Sequence, residues 1–295
     1  MLTIDPQTTS ALDMYQFLIG AVSPRPIAFV SSVDTEGVAN LAPFSFFNAF
    51  SGNPPIIGFS SALRGSDGTR KDTLENVTAT GECVVNIVSH RISRQMALTS
   101  QRFPKDVSEF DKAGFTPLPS DLVRAPRVAE SPIQMECRVE QIIPLGTEGG
   151  AGNLVICRVV RMHISEAVLD LEKNRIDPRK LDAVGRNGRY WYTRANGNAL
   201  FEIQQPELPL GVGFDALPPT VLKSDILTGN SLATMAAMPE LPSKDAILQV
   251  KKDVRVQKML FSGNILRGLH WLAQEEFAAG NVDFATKVAL LGEFE

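Results

Sequence analysis

The sequence predicts a mainly β protein with flanking helices, in which a closed or partly open barrel of short antiparallel strands is followed by a C-terminal helical extension. Short β-rich segments alternate with turn signals between residues 26 and 164, which is typical of a barrel. After a proline-rich stretch at 206–219, apolar residues recur every three or four positions, which indicates helices. We therefore expect a barrel domain at 12–205 and a connector with a helical extension at 206–295.

The first part of the barrel is predicted as strands and loops followed by a helix. Residues 26–33 and 38–44 flank a four-residue loop that ends in glycine, as in a hairpin, and 56–60 form the next strand. A polar loop then leads to a helix start, with Asp72 as the predicted N-cap and a glutamate three residues on. Gly81 supplies the stop of this helix.

The second part of the barrel is predicted from longer strands. Residues 83–88 form a strand, and 90–98 form a short helix. The region 100–132 is rich in loops and carries one further short helix. Two long β segments at 135–145 and 154–164 flank a glycine-rich loop, which suits a hairpin better than a phosphate-binding loop.

The extension is expected to be helical. Ser243 is a candidate N-cap, although Ala246 stands where a capping box would have glutamate. The runs 244–261 and 266–280 carry apolar residues at helical spacing.

Composition excludes several classes of protein. The net charge is −4 and the isoelectric point about 5.6, so a general attraction to nucleic acid or to an anionic membrane is not expected. The amino terminus has no basic stretch before an apolar run, and no segment approaches the roughly 18 apolar residues that span a bilayer. We expect a cytoplasmic protein.

Cysteine and histidine usage agrees with that expectation. Cys83, Cys137 and Cys157 are odd in number, lack CxxC spacing and lie in apolar β segments, which predicts buried free thiols in a reducing compartment. The three histidines have no companion at i+3 or i+4, so no histidine-based metal site is expected.

The segment 41–51 could form an aromatic wall. In a regular strand, Phe44, Phe46 and Asn48 would share one face, and Ser45 and Phe47 would share the other. Aromatic side chains beside hydrogen-bonding groups suit a flavin, whose ring is an apolar plate edged with donors and acceptors. The alternative is an ordinary buried strand with incidental polar residues.

The polar loop before the predicted helix could hold a phosphate. Arg64, Arg70 and Lys71 lie within eight positions, and Thr73 falls in the first helical turn. Free N–H groups and the helix dipole favour an anion at such a place, and both cation types bind phosphate. The alternative is a solvated basic loop.

Competing sites have weaker support. Residues 211–216 match GxGxxA, but Leu217-Pro218-Pro219 follow where a dinucleotide-binding motif requires a helix. No GxSxG motif occurs, and no serine or cysteine has a plausible histidine partner nearby. We therefore assign no catalytic side chain and no metal ligand.

Together, the segments around 24–51, 58–61, 70–88, 157–164 and 185–191 resemble the flavin reductase-like, FMN-binding split-barrel family, over about residues 12–203. The resemblance implies a six-stranded Greek-key barrel, non-covalently bound FMN and a homodimer with its FMN sites at or near the subunit interface. Most members end soon after this region, whereas this chain continues for about 90 residues. The extension could cover the open face of the flavin or enlarge the dimer interface.

The resemblance also implies cofactor-binding residues. The strand that faces the flavin ring carries Asn40, Ser45, Phe46, Phe47 and Asn48. The neighbouring strand end, beside the ring and the ribityl chain, carries Ser60 and Ser61. The ribityl and phosphate site carries Arg64, Lys71, Asp72 and Thr73.

Four further positions follow from the same resemblance. Arg25 and Pro26 lie on the strand that leads into the barrel, which often borders the phosphate. Tyr190 matches a late aromatic position that the partner subunit could contribute. His163 matches a strand position of many members, where a hydrogen-bonded histidine within the sheet is the favoured interpretation.

The resulting hypothesis is an FMN-dependent oxidoreductase that takes hydride from NADH or NADPH and passes electrons to free flavin or another acceptor. The redox chemistry would belong to the cofactor, so no protein acid or base is required. One alternative is a non-catalytic, flavoredoxin-like electron carrier. Another is a barrel that binds a different planar ligand, such as haem or a deazaflavin.

Overall fold

The computed structural model describes residues 1–104, 107–203 and 210–295. The chain divides into two compact units, Met1–Phe201 and Glu202–Glu295. The predicted domain boundary between residues 205 and 206 lies outside the described residues. Among the described residues, none of the helices has the length and hydropathy of a membrane span.

The first unit contains the strands and five of the α-helices described. The strands are β1 (Ala28–Val33), β2 (Ala39–Phe44), β3 (Phe47–Gly52), β4 (Pro55–Ala62), β5 (Glu82–Ile87), β6 (Pro117–Leu118), β7 (Arg127–Val128), β8 (Ile133–Pro144), β9 (Gly152–Ile164), β10 (Leu169–Asp170), β11 (Arg175–Ile176), β12 (Val184–Arg186) and β13 (Tyr192–Arg194). The helices are α1 (Ala11–Ala21), α2 (Asp72–Thr80), α3 (Ser93–Leu98), α4 (Glu109–Ala113) and α5 (Pro178–Leu181), with 3₁₀ turns at His90–Ile92, Glu166–Val168 and Gly197–Ala199.

The main sheet closes on itself through a bent strand. Its strand order is β2-β1-β5-β8-β9-β4-β3, and each neighbouring pair is antiparallel. The two edge strands, β2 and β3, are consecutive in the chain, and Ser45 and Phe46 alone separate them. One bent strand therefore supplies both edges, so the described strands form the predicted six-stranded barrel, which is confirmed.

Apolar side chains fill the barrel and cover its outside. The interior cluster includes Phe44, Phe59 and the three cysteines, which are buried and free as predicted. A second cluster joins Phe29 of β1 to Met96 of α3 and Phe110 of α4. The outer cluster fixes α3 and α4 against the barrel wall.

Helix α2 packs its apolar face into one end of the barrel. Leu74 and Val77 belong to the interior cluster. The N-cap is Lys71, and no side chain caps it, so the prediction of Asp72 as N-cap was wrong by one residue. The carboxylate of Asp72 is instead paired with Arg64. The predicted stop is confirmed, because Gly81 has the left-handed φ of 68° that favours glycine.

The second unit is helical, as predicted. Its helices are α6 (Pro219–Leu222), α7 (Gly229–Ala236), α8 (Lys244–Gln249), α9 (Val254–Leu260), α10 (Ile265–Ala278) and α11 (Val282–Leu291), with 3₁₀ turns at Phe214–Ala216, Val250–Lys252 and Gly292–Phe294. Ser243 caps α8 by accepting the N–H of Ala246, as predicted. Buried residues from most of these helices form a separate apolar core.

Candidate functional site

A cleft on the first unit contains a pocket with several cations. We call it the cationic pocket: its volume is about 120 Å³, and its lining includes Asn40, Arg64, Lys71, Asp72 and Thr73. These five predicted site residues come from β2, from the loop before α2 and from the first turn of α2. The closure of the barrel and the docking of α2 therefore bring them together.

Lys71 is the cation of this pocket that lacks a carboxylate partner. Its Nζ lies 5.4 Å from the centroid of the Phe44 ring, and no hydrogen bond or ion pair joins it to the described residues. Burial lowers the pKa of Lys71, and repulsion from Arg64 adds to this effect. By contrast, Arg64 Nη2 is 3.0 Å from Asp72 Oδ2. The pocket therefore holds a partly desolvated positive charge that an anion would stabilise.

The start of α2 adds unused donors to the same pocket. The backbone N–H groups of Asp72 and Thr73 bond to no acceptor among the described residues, whereas the next two N–H groups bond to the Lys71 carbonyl. The Thr73 hydroxyl accepts a hydrogen bond of 2.7 Å from Asn40 Nδ2, so its own proton is available to a ligand. A helix N-terminus with free N–H groups beside a lysine is a favourable place for a phosphate.

The cleft continues into a second pocket, which we call the Arg186 pocket. It has a volume of about 110 Å³, and its lining includes Ile27, Pro43, Ser45, Met96, Arg186 and Tyr192. Pro43 and Ser100 line both pockets. The cleft thus runs from the N-terminus of α2, along β2, to the β12–β13 hairpin.

Arg25 lies behind the Arg186 pocket. It is buried, its Nη1 donates to the carbonyls of Ile19 and Val22 at 2.6 and 2.7 Å, and its Nη2 donates to the carbonyl of Asn187 at 3.2 Å. Its Nε donates to Ser45 Oγ at 3.4 Å. These bonds use most of the guanidinium donors, so Arg25 fixes the wall of the pocket.

The predicted aromatic strand is interrupted at this point. Because β2 ends at Phe44 and β3 begins at Phe47, the segment 41–51 is not one regular strand, and the alternation that depended on a regular strand does not apply. Phe46 is 42% exposed beside the guanidinium of Arg25, whereas Phe47 packs partly into the barrel interior. Asn48 is exposed on β3, and its Oδ1 accepts the N–H of Ala49.

The two predicted serines of β4 have different surroundings. Ser61 is buried, and its Oγ has no hydrogen-bond partner among the described residues. Its backbone carbonyl accepts a bond of 3.1 Å from Asn153. Ser60 is half-buried, and its N–H donates to the Phe46 carbonyl at 2.8 Å, which holds the bend of the strand.

Two predicted residues lie at the surface. Tyr190 is 92% exposed and lines neither pocket, and Pro26 is exposed at the start of the barrel. Binding by these two residues and by the other predicted site residues stays a prediction.

Sequence reasoning missed part of the cleft. The segment Thr99–Phe103, which follows α3, lines the cationic pocket, and Arg186 and Tyr192 line the second pocket. Glu109 also lines the cationic pocket, and burial raises the pKa of its carboxyl. The basic and aromatic composition of 185–192 could have marked Arg186 and Tyr192 as candidate site residues, but it does not show that this hairpin lies beside the cleft.

His163 is hydrogen-bonded within the sheet, as favoured from the sequence. Its Nε2 lies 2.7 Å from Glu136 Oε1. Together with Asp121, these residues place three potential metal-ligand atoms within 4.8 Å of one another. However, Glu136 also accepts the N–H groups of Asp121 and Leu122, and Asp121 pairs with Arg161. We therefore interpret this cluster as an anchor for the loop before β7.

The first unit is thus a small antiparallel β-barrel with a cationic groove on its wall. Residues 20–176 match the sequence model of the flavin reductase like domain, and the chain belongs to that family of flavin-binding split-barrel proteins.

Solved structures of known proteins agree with this assignment. The nitrilotriacetate monooxygenase component B from Bacillus cereus is 38% identical, with a TM-score of 0.64 over 69% of this chain and 98% of that chain. The 2-nitrobenzoate 2-nitroreductase of Pseudomonas fluorescens is 30% identical, with a TM-score of 0.63 over 72% of this chain and 100% of that chain.

A relative from Halalkalibacterium halodurans, an uncharacterised protein, is 41% identical over 187 residues, which cover 63% of this chain and 88% of the relative. Each of these three relatives is matched nearly throughout, whereas more than a quarter of this chain lies outside each match.

Proposed function

We propose that the chain binds FMN non-covalently, with the phosphate in the cationic pocket and the ring toward the Arg186 pocket. The observation that carries this proposal is Lys71, a partly buried ammonium without a carboxylate partner among the described residues, beside two free N–H groups at the start of α2. A dianionic phosphate would satisfy all of these groups at once.

The length of the cleft supports this orientation. Asn40 contacts Thr73 at the cationic end, and Ser45 contacts Arg25 at the other end. These two residues lie five positions apart, which corresponds to roughly 16 Å at about 3.3 Å per strand residue. This span is comparable to that of an extended FMN molecule.

The residues at each end suit different parts of FMN. Lys71, Arg64 and Thr73 would hold the phosphate and the first ribityl hydroxyls. Ile27, Pro43 and Met96 offer apolar surface to the ring, and Ser45 offers a hydroxyl to its edge. Such a division, with apolar surface for a ring and polar groups that fix its position, is typical of a cofactor site.

When bound, FMN would supply the redox chemistry, since accepting a hydride from NADH or NADPH and donating electrons to an acceptor are properties of the flavin ring. The part of this chain is to bind the phosphate, to orient the ring and to limit the access of water. Hydride transfer requires no protein acid or base, so the cleft needs no catalytic side chain. We propose an NAD(P)H-dependent oxidoreductase whose acceptor is free flavin or another small molecule.

The similar proteins support an oxidoreductase of this type. One is a component of a monooxygenase, and another is a nitroreductase. Their names indicate that this fold serves small-molecule redox reactions. The three buried free thiols are typical of a reducing compartment, and we propose a cytoplasmic location on that basis.

We also propose a homodimer that completes the site. Exposed aromatic side chains occur near the Arg186 end of the cleft: Phe46 lies beside Arg25 and Tyr15, and Tyr190 and Trp191 directly precede Tyr192 in the chain. A cluster of exposed apolar groups is typical of an interaction surface. Sedimentation velocity tests this proposal: we expect a dimer for the full chain and a shift toward monomer for Trp191→Asp, whereas a monomeric wild-type chain would contradict it.

One titration tests the proposed function. The purified chain should bind FMN more tightly than riboflavin, and NADH or NADPH should bleach the bound FMN under anaerobic conditions. Bound FMN that neither nicotinamide reduces would favour the electron-carrier alternative. A purified protein that carries a Soret band or a deazaflavin spectrum would instead contradict FMN as the cofactor.

A further inference from the structure

The Arg186 pocket is lined by the side chain of Arg186, with the buried Arg25 behind its wall, and no carboxylate among the described residues lines it. The backbones of Arg25 and Arg186 are bonded to each other, with N–H to carbonyl distances of 2.9 and 2.8 Å. Burial lowers the pKa of Arg25, and repulsion from Arg186 acts in the same direction. Neither residue makes an ion pair with the described residues. The pocket therefore carries positive charge that no protein group there offsets.

The two arginines differ in how many of their side-chain N–H groups remain available to a ligand. The Arg25 donors are used by backbone carbonyls and by Ser45. The guanidinium carbon of Arg186 lies 4.6 Å from the centroid of the Tyr192 ring, and the Arg186 side chain makes no hydrogen bond to the described residues. Stacking on Tyr192 holds the guanidinium while its N–H groups stay available. Arg186 is thus the group that can bind a ligand.

The surroundings of Arg186 favour a ring edge over a phosphate. Ile27, Pro43 and Met96 add apolar side chains to its lining, and none of the described residues that line it begins a helix. The opposite end of the cleft has both Lys71 and the free N–H groups of α2. If the phosphate lies there, the ring reaches Arg186.

We propose that Arg186 binds the pyrimidine edge of the flavin ring and stabilises the negative charge that this edge carries after two-electron reduction. The inference rests on the proposed FMN site. A cation in a partly apolar pocket acts more strongly on such a charge than it would in water. Arg186 therefore tightens binding of the reduced flavin more than binding of the oxidised flavin, and this difference raises the midpoint potential of bound FMN.

The test compares Arg186→Gln and Arg186→Lys with Arg189→Gln, a matched control that removes an exposed charge from the same hairpin and lines neither pocket. Affinities for FMN and riboflavin are measured by fluorescence titration. The midpoint potential of bound FMN is measured anaerobically against redox dyes.

We expect Arg186→Gln to bind reduced FMN roughly 10- to 100-fold more weakly, with a smaller loss for oxidised FMN. Because a tenfold change in the ratio of the two affinities is about 30 mV for a two-electron couple, the midpoint potential should fall by roughly 30–60 mV if only reduced FMN loses affinity, and by less to the extent that oxidised FMN also does. Riboflavin and FMN should lose affinity by the same factor. Arg186→Lys should recover part of the potential, and Arg189→Gln should match the wild type.

Two results would overturn the inference. One is an unchanged potential in Arg186→Gln, and the other is a loss of FMN affinity with riboflavin affinity intact, which would make Arg186 a phosphate ligand. A wild-type chain that binds neither flavin would instead overturn the proposed function. Circular dichroism checks folding, and Arg186→Lys provides the same readouts if Arg186→Gln does not fold.

Discussion

Replacing Lys71 with methionine tests the phosphate end of the cleft. The substitution removes a cation with no carboxylate partner among the described residues and keeps a side chain of similar length. A charge-assisted hydrogen bond contributes about 1.5–3 kcal/mol, so the Kd for FMN should rise roughly 10- to 150-fold. Riboflavin, which lacks the phosphate, should bind the variant and the wild type equally well.

The assay is a fluorescence titration of both flavins. Arg70→Met is the matched control, because it removes a neighbouring exposed charge that lines neither pocket. The ligand-free Lys71→Met variant should unfold at the same or a higher urea concentration than the wild type, because it no longer desolvates an unpaired charge. Unchanged FMN affinity, or an equal loss for riboflavin, would refute the phosphate assignment.

Three further predictions concern the same part of the barrel. Burial, and in addition repulsion from Arg64, lowers the pKa of Lys71 in the folded chain. Between this lowered pKa and the ordinary pKa of lysine, the unfolded chain therefore binds more protons at Lys71 than the folded chain does. In that pH window the free energy of unfolding of the ligand-free wild type should rise with pH relative to Lys71→Met, while FMN affinity of the wild type should fall. Thr73→Val leaves the buried Nδ2 of Asn40 without its acceptor, so urea denaturation should show a loss of about 1–3 kcal/mol, whereas Thr73→Ser should lose less. Ser61→Ala removes a buried hydroxyl that has no partner among the described residues, so the ligand-free protein should be unchanged or stabilised by up to about 1 kcal/mol.

Each of these predictions has a contradicting result. FMN affinity that stays constant as the Lys71 ammonium deprotonates would show that Lys71 does not bind the phosphate. Equal losses for Thr73→Val and Thr73→Ser would show that the hydrogen bond to Asn40 contributes little. A clear destabilisation by Ser61→Ala would show that the hydroxyl has a partner in solution.

Local patterns predicted the elements of the fold well. The alternation of β-rich segments with turns indicated the strands of the main sheet, and apolar residues at helical spacing indicated the helices of the second unit, whereas α1 and the short strands outside the main sheet were not predicted. Gly81 ends α2 in the left-handed conformation because glycine has no Cβ to resist it. These features depend on residues close in the chain, so the sequence alone contains most of the information that is needed to predict them.

The bend between β2 and β3 depends on the whole barrel. The segment around Ser45 reads as one continuous strand, but one strand must serve both edges of the sheet for the barrel to close. The Phe46 carbonyl accepts the N–H of Ser60 at the bend. This bond joins two strands, and no local pattern of residues predicts it.

The sequence predicted the part of the candidate site whose residues lie close together in the chain. Arg64, Lys71 and Thr73 come from one loop and helix start, so the sequence indicated their association. Ser100 and Arg186 lie far from them in the chain and reach the cleft only because α3 and the β12–β13 hairpin pack beside β2. The N-cap of α2 is Lys71 and not the predicted Asp72, because the Asp72 carboxylate pairs with Arg64 instead of capping the helix.

The central claim is that this chain holds FMN in the cleft and presents it to a nicotinamide. The most direct measurement is the anaerobic absorbance spectrum of the FMN-loaded protein, freed of unbound flavin, before and after addition of NADH or NADPH. We predict that the oxidised-flavin bands stay with the protein through ultrafiltration and disappear when at least one nicotinamide is added. Flavin that passes through the filter, or bands that persist with both donors, would contradict the claim.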